Sequence, residues 1–517
     1  MPRTASLSIF IEAPGGRTLQ DQIYRSIRQS ILDGLVRGDR RLPSTRALAA
    51  DLGVSRTTVL LALEQLRAEG YVVARRGSGM FVAPILPARL PRVIPLPAAT
   101  PPEFPVSRPI FSRRGAALAR MRPPDRRPPS SVASAFRLGT PALDLFPLRL
   151  WAQLTRECLR ALKPSHLDYS QLAGLRQLRV AIAEQVQSRG TRCDADQIQV
   201  VMGAQRGLDL IARMLLDPGD EAWMEDPGYT GARGALAAAS ATVVSMPIDE
   251  EGMIVEANRA GDARIAYVTP SCQFPLGVAM SLARRHELLR WARRSHAWIV
   301  EDDYDCDTRY QSQPLPCLHS LDPDGRVIYV GTFSKTLFPA LRLGFLIVPR
   351  DLQAGFITAR LATDLHPPVL EQLVLAMFIS RGHYARHVRR MQSAYAERLD
   401  ALRRAVDRSG APLRVRPVHA GIHAVVDVEG VSAERIHEEA ARQGIETMPL
   451  SAYYFGAGHR AKLKKWSGKV TRESDALDLE AGVFKKRSAR EIALSLSARP
   501  CAAGGASRRR CARRCRC

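Results

Sequence analysis

Four stretches of this 517-residue chain carry side chains that could do chemistry, and each follows a short apolar run. After residues 198–202 comes Gly203-Ala204-Gln205, a small-residue turn opening a helix. The N–H groups and positive end of a helix start favour a phosphate. After residues 222–224 comes Glu225-Asp226-Pro227-Gly228-Tyr229, an aromatic ring at a tight turn. After residues 298–300 comes Glu301-Asp302-Asp303-Tyr304, a carboxylate just past a buried strand. After residues 327–330 comes Gly331-Thr332-Phe333-Ser334-Lys335, an amine on a turn, with Arg342 seven residues on. Singly, each has an ordinary reading: a helix-capping Asp, a solvated Lys, a Tyr packed in a turn, a Gly that permits one.

Jointly, a lysine, a carboxylate, a phosphate cradle and an aromatic plate fit pyridoxal phosphate. The lysine amine forms an imine with the cofactor aldehyde, and the carboxylate keeps the ring nitrogen protonated so that the ring withdraws electrons. A neighbouring negative charge favours that protonated form. An arginine pairs bidentately with the phosphate, and an aromatic ring stacks on the cofactor face.

These turns need elements to hold them. From about Ser134 to Pro449, apolar runs at 198–202, 222–224, 265–268, 298–300, 327–330 and 343–348 alternate with amphipathic helices. That alternation predicts an α/β fold with a mostly parallel sheet, whose chemistry gathers at the carboxyl ends of its strands. Residues 17–82 read differently. Ile23, Ile27 and Ile31 mark one helix, Ser44 caps a second from Thr45 to about Asp51, and Ser55 caps a third that closes at Gly70. Two strands, 71–73 and 80–82, then flank Arg75-Arg76-Gly77-Ser78-Gly79. Helix, turn, helix and a basic hairpin is winged helix-turn-helix geometry. Ser44, Thr45, Arg46, Ser55, Arg56, Thr57, Thr58, Arg75, Arg76 and Gly77 are the candidates to meet duplex DNA at phosphates or base edges. A small helical bundle with a solvated charged face is the alternative from periodicity alone.

Composition sets the frame. Lys and Arg number 75 against 51 Asp and Glu, a net charge of +24, and residues 456–517 alone hold 17 basic and 5 acidic side chains. Such a balance points to a polyanionic partner. Residues 84–129 hold 13 of the 35 prolines, which predicts a semi-extended linker. The expected organisation is a winged helix over 1–83, a linker over 84–133, a cofactor domain over 134–455 and a basic tail over 456–517. No window resembles a membrane helix, and the amino terminus has no long apolar core before Glu12, so a cytoplasmic protein is expected. Scattered cysteines suit a reducing compartment, and no metal site is expected.

Residues 17–82 resemble the GntR-type winged helix in Leu-Pro-Ser-Thr-Arg-Ala-Leu-Ala, Leu-Gly-Val-Ser-Arg-Thr-Thr-Val, Glu-Gly-Tyr and Gly-Ser-Gly-Met-Phe-Val. Residues from about 137 to 449 resemble a class I aminotransferase of fold type I. The motifs are Thr332 to Gly344, Glu301-Asp302-Asp303-Tyr304-Asp305, Glu225 to Tyr229 and Thr269-Pro270-Ser271-Cys272-Gln273-Phe274-Pro275-Leu276-Gly277. The resemblance implies that Lys335 is the Schiff-base lysine and Asp302 the partner of the ring nitrogen. It implies that Tyr304 meets the phenolic oxygen, that Tyr229 stacks on the ring, and that Gln273 is a cofactor contact. Ala204, Gln205, Thr332 and Arg342 would hold the phosphate, and Tyr169 would reach the phosphate of a neighbouring subunit, implying a homodimer. The combination resembles the MocR family of bacterial regulators. It implies a DNA-binding transcriptional regulator that senses pyridoxal phosphate, or an amine or amino acid through it. Transamination in it would be weak or vestigial.

The resemblance stops after Tyr453-Tyr454-Phe455. The family continues into a strand with an arginine for the substrate carboxylate, and residues 456–517 show no such run. The Cys-Arg repeats of 511–517 resemble out-of-frame translation; a basic DNA-binding tail is the alternative. The small carboxyl-terminal subdomain is therefore expected to be incomplete, with an uncovered sheet edge and a disordered tail. Two other functions stay open: an active aminotransferase carrying a DNA-binding module, and a DNA-binding protein whose large domain is only a dimerisation scaffold.

Overall fold

The computed structural model describes residues 18–76, 78–84, 111–119, 121, 136–255, 263–305, 307–308, 315–418, 420–455 and 489–495. The chain divides into two compact units, Met1–Arg108 and Pro109–Cys517.

In the first unit, α1 (Leu19–Leu32), α2 (Thr45–Leu52) and α3 (Arg56–Ala68) are each started by a hydroxyl cap: Thr18, Ser44 and Ser55 accept from Asp21, Ala47 and Thr58 N–H. A cap satisfies one of the amides that a helix start leaves without a partner. β1 (Val72–Arg75) and β2 (Gly79–Val82) pair antiparallel as the wing. Ile23, Ile27, Val59, Leu63, Leu66 and Val82 form one closed core. Helices and hairpin thus fall where the 3.6-residue and two-residue spacings put them; Gly77 of the wing lies outside the described residues. So small a unit has little stability to spare. Ile27→Ala, at a fully buried site, is expected to cost about 2–5 kcal/mol. It should unfold the first unit and leave the second folded, as denaturant titration and limited proteolysis would show.

The second unit begins earlier than composition suggests. Within the proline-rich stretch, α4 (Arg113–Ala119) is helical and packs on helix Thr230–Ala238. Met121 lies so close that a Cβ on Gly234 would come within 2.7 Å of its Cε. Within the linker expected from the prolines to be semi-extended, this one stretch is helical: Ala116, Ala117, Leu118 and Ala119 are good helix formers with no proline among them. Residues 85–110 and 122–135 lie outside the described residues.

The main sheet has eight strands: β3 (Ile198–Val201), β4 (Glu221–Asp226), β5 (Thr242–Asp249), β6 (Gly252–Met253), β7 (Ala263–Val268), β8 (Trp298–Asp302), β9 (Val327–Thr332) and β10 (Gly344–Ile347). Their order is β3-β10-β9-β8-β7-β4-β5-β6. β5, β4, β7, β8 and β9 are mutually parallel, while β10 runs antiparallel to β9 and β3. That reversal has a simple cause, since residues 333–343 are too few for a parallel crossover. It is also what positions the site. β10 starts at the end where β9 finishes, so Lys335 and Arg342 face the same edge as the ends of β3, β4, β7 and β8.

Successive residues of these strands point to opposite faces. Met224, Tyr267 and Val300 pack with Leu208, Ile211 and Leu236 on one side. Trp223, Ala266 and Ile299 pack with Leu288 and Trp291 on the other, Trp223 stacked on Trp291 at 4.1 Å.

The small subdomain follows the long helix His383–Ser409. It is a sheet of β11 (Leu413–Val415), β12 (His423–Glu429), β13 (Met448–Pro449) and β14 (Ala489–Ser495), in the order β11-β12-β14-β13. This corrects the expected uncovered sheet edge. β14 pairs with β12 from Ala489 opposite Glu429 to Ser495 opposite His423, and β13 lies on its other side. Ile492 and Leu494 alternate with Ala489, Glu491, Ala493 and Ser495, a period of two that suits a strand. Unpaired donors and acceptors along β12 give such a run a ladder to join. The rest of the basic tail lies outside the described residues.

Candidate functional site

Every sequence-derived cofactor candidate except Tyr169 comes to the carboxyl edge of the main sheet. Asp302 ends β8 and is buried. Tyr267, from the adjacent β7, donates its hydroxyl to Asp302 Oδ2 at 2.8 Å, while Oδ1 is buried with no hydrogen-bond partner among the described residues. Burial pushes this carboxyl up to about 7, against the Tyr267 hydrogen bond and the charge of Lys335, which pull it down. An anionic oxygen shut away from water without a donor is costly. A bound cation or N–H placed there removes the cost.

Lys335 is half-buried on the turn after β9, and its Nζ donates to the Gly139 carbonyl at 2.8 Å. Thr332, at the end of β9, accepts from Ser334 N–H. Across the edge, Gly203 has φ of 80° and precedes helix Ala204–Leu215. A side chain there would be strained, and its Cβ would sit 3.3 Å from the Arg342 guanidinium, which donates to the Met202 carbonyl. Arg342 is exposed beside that helix start, so guanidinium and helix amides together form a cradle suited to an anion. Gln205 donates to the Gly231 carbonyl and accepts the Tyr229 hydroxyl at 3.3 Å. The Tyr229 ring stands edge-on to Phe274, which is also edge-on to Tyr304.

Two candidates stand apart from the rest. Gln273 is spent on protein partners: Nε2 donates to Glu225 Oε2 and to the Pro227 and Phe274 carbonyls, and Oε1 accepts from Leu276 N–H. A side chain so engaged braces two turns. Tyr169 is 83% exposed, outside the pocket of its own chain.

The structure adds residues that the sequence did not single out. Tyr267 looked like one more apolar-run residue, and Gly139 lies far upstream of its lysine. Cys272 and His423 meet at Gly421, near Asp305, whose carboxylate accepts from Ile422 N–H at 2.8 Å and ties the large subdomain to the small one. Burial lowers His423 to about 4, so it is neutral at pH 7.

On the winged helix, Ser44 and Ser55 act first as caps. Arg56 Nε donates to Thr45 Oγ1 at 3.3 Å, joining the starts of α3 and α2. Arg46, Thr57 and Arg76 are exposed. Arg75 pairs with Asp39 and lies over the Phe81 ring. An exposed pair is worth at most about 1 kcal/mol, so a phosphate can compete for Arg75.

Comparison with known proteins agrees with both halves. The family of bacterial regulatory proteins of the gntR type matches residues 19–82, and aminotransferase class I and II matches residues 135–464. A family of unknown function, DUF3175, matches residues 465–516. The chain is 40% identical to the probable rhizopine catabolism regulatory protein MocR of Rhizobium meliloti, over 84% of this chain and 87% of that one. It is 29% identical to the pyridoxine biosynthesis transcriptional regulator PdxR of Corynebacterium glutamicum, over 88% and 93%. Among solved structures, a kynurenine aminotransferase of Pyrococcus horikoshii in complex with PMP superposes with a TM-score of 0.61 at 26% identity, covering 75% of this chain and 92% of that one. The chain belongs to the MocR family, transcriptional regulators in which a GntR-type helix-turn-helix is joined to a class I aminotransferase domain.

Proposed function

We propose that this regulator binds pyridoxal 5'-phosphate at the carboxyl edge of its main sheet and that the occupied domain sets its affinity for an operator. The observation that carries the reading is Asp302: a buried carboxylate with one oxygen unpartnered, on the same edge as a lysine amine and a helix-start anion cradle. The residues fit the cofactor's three handles. Arg342, Thr332 and the amides of Ala204 and Gln205 hold its phosphate, Asp302 its ring nitrogen and Lys335 its aldehyde carbon. When bound, the cofactor supplies an electrophilic carbon and an electron-withdrawing ring. Tyr229 covers one ring face, Tyr304 meets the phenolic oxygen, and Tyr267 keeps Asp302 oriented. Tyr169, exposed and idle in its own chain, reaches the phosphate of a second copy in a homodimer.

Helix Thr230–Ala238 starts at Tyr229 and packs against α4, so a change at the pocket reaches α4. An amine or amino acid that competes with Lys335 for the cofactor is the effector class. The test is operator binding by the full chain with and without pyridoxal phosphate, then with added amino acids. Affinity indifferent to all of them would sink the sensing reading, and sustained multiple turnover with an amino donor would favour an active aminotransferase instead.

The DNA face makes its own prediction. Arg56→Ala should weaken operator binding by ~1–3 kcal/mol if the guanidinium reads a base, and parent binding should fall steeply with salt. Equal affinities of parent and variant at matched salt, by fluorescence anisotropy, would contradict it.

A further inference from the structure

The outward face of the recognition helix is less polar than its sequence motif suggests. The Ser55 hydroxyl caps Thr58 N–H and bonds the Thr58 hydroxyl, and Arg56 Nε is tied to Thr45. Val59, Ala62, Leu63 and Leu66 fill the core, so the opposite side of α3 presents Thr57, Leu60, Leu61 and Glu64. Leu60 and Leu61 are 43% and 44% exposed. A single surface leucine needs no explanation. Two adjacent leucines within the first two turns of a recognition helix, directly continuous with its groove-facing start, have a natural occupant.

We propose that Leu60 and Leu61 read thymine methyl groups in the major groove and so help set operator sequence. Thymine is the only base that offers a methyl at the groove edge, and apolar side chains recognise it by contact. Helical geometry places Leu60 one turn beyond Arg56 and Leu61 one turn beyond Thr57, so the four residues form one strip along the groove. Glu64 continues that strip with a negative charge, which phosphates repel, and marks where close approach ends. Arg56 and the wing thereby supply attraction while the leucines supply discrimination. The proposal rests on α3 being the element that enters the groove.

The experiment selects binding sites from a random duplex pool with the full chain, then replaces each selected thymine singly by deoxyuridine, which removes only the methyl. The parent is expected to lose about fourfold in affinity per contacted methyl, the equivalent of ~0.8 kcal/mol for one buried apolar carbon. Leu60→Ala or Leu61→Ala should bind thymine and uracil operators equally at the affected position. Both variants should keep the parent's salt slope, because phosphate contacts are untouched. A parent indifferent to every such replacement, or alanine variants that keep the full thymine preference, would overturn the proposal. A pool that yields no enriched sequence would overturn the groove-binding role of α3 along with it.

Discussion

Lys335→Ala should leave the protein folded and without the visible absorbance expected of the parent with pyridoxal phosphate. In the structure Lys335 donates a hydrogen bond to the Gly139 carbonyl. Losing it costs about 1–3 kcal/mol even if that carbonyl stays dry, less than a domain of this size can spare. The cofactor loses its covalent anchor, so its affinity should fall at least tenfold while the phosphate cradle of Gly203 and Arg342 still attracts it. Lys335→Arg separates charge from chemistry. A guanidinium stays protonated and cannot bond the aldehyde, so it should restore the positive charge but not the absorbance. An unchanged spectrum in either variant would show that another amine takes the cofactor.

Asp302→Asn should have opposite effects with and without cofactor. In the cofactor-free protein, burial holds the Asp302 carboxyl near 7, above its ordinary value. A folded-state value raised in this way imposes no penalty below about pH 4. The penalty grows as pH rises through 4 to 7 and is complete above, at up to about 4 kcal/mol. Asparagine carries no charge and still accepts from Tyr267, so the variant should be more stable than the parent at pH 8 and equal to it at pH 4. With cofactor the order reverses. The parent's carboxylate meets a protonated ring nitrogen, a buried charged hydrogen bond worth about 1.5–3 kcal/mol, and the variant binds roughly 10- to 100-fold more weakly. Urea melts at the two pH values, with and without pyridoxal phosphate, check both halves. A variant no more stable than the parent at pH 8 without cofactor would mean that Asp302 is solvated and not poised for a ring nitrogen.

Much of this is written in short-range sequence. The three caps of the winged helix, the isoleucines of α1 and the turns at the strand ends are local features, decided by backbone donors and side-chain spacing within a few residues. The motif around Lys335 and the carboxylate run at Asp302 were readable for the same reason. Tertiary structure decided what depends on distant partners. Sequence shows a carboxylate after β8 but not that Tyr267 holds one oxygen and leaves the other bare, because that pairing is made by two strands meeting in a sheet. Gln273 sits in a cofactor-like motif, yet its hydrogen bonds go to Glu225 and Pro227, 48 and 46 residues away. β5 escaped notice because Pro247 interrupts its apolar run, a break that a strand near the sheet edge tolerates. β14 escaped notice because seven modest residues become a strand only when β12 and β13 offer them a ladder on both sides. Short-range patterns fix caps, turns and candidate chemistry; only the assembled sheet fixes which polar atoms are spent on the protein and which are left for a ligand.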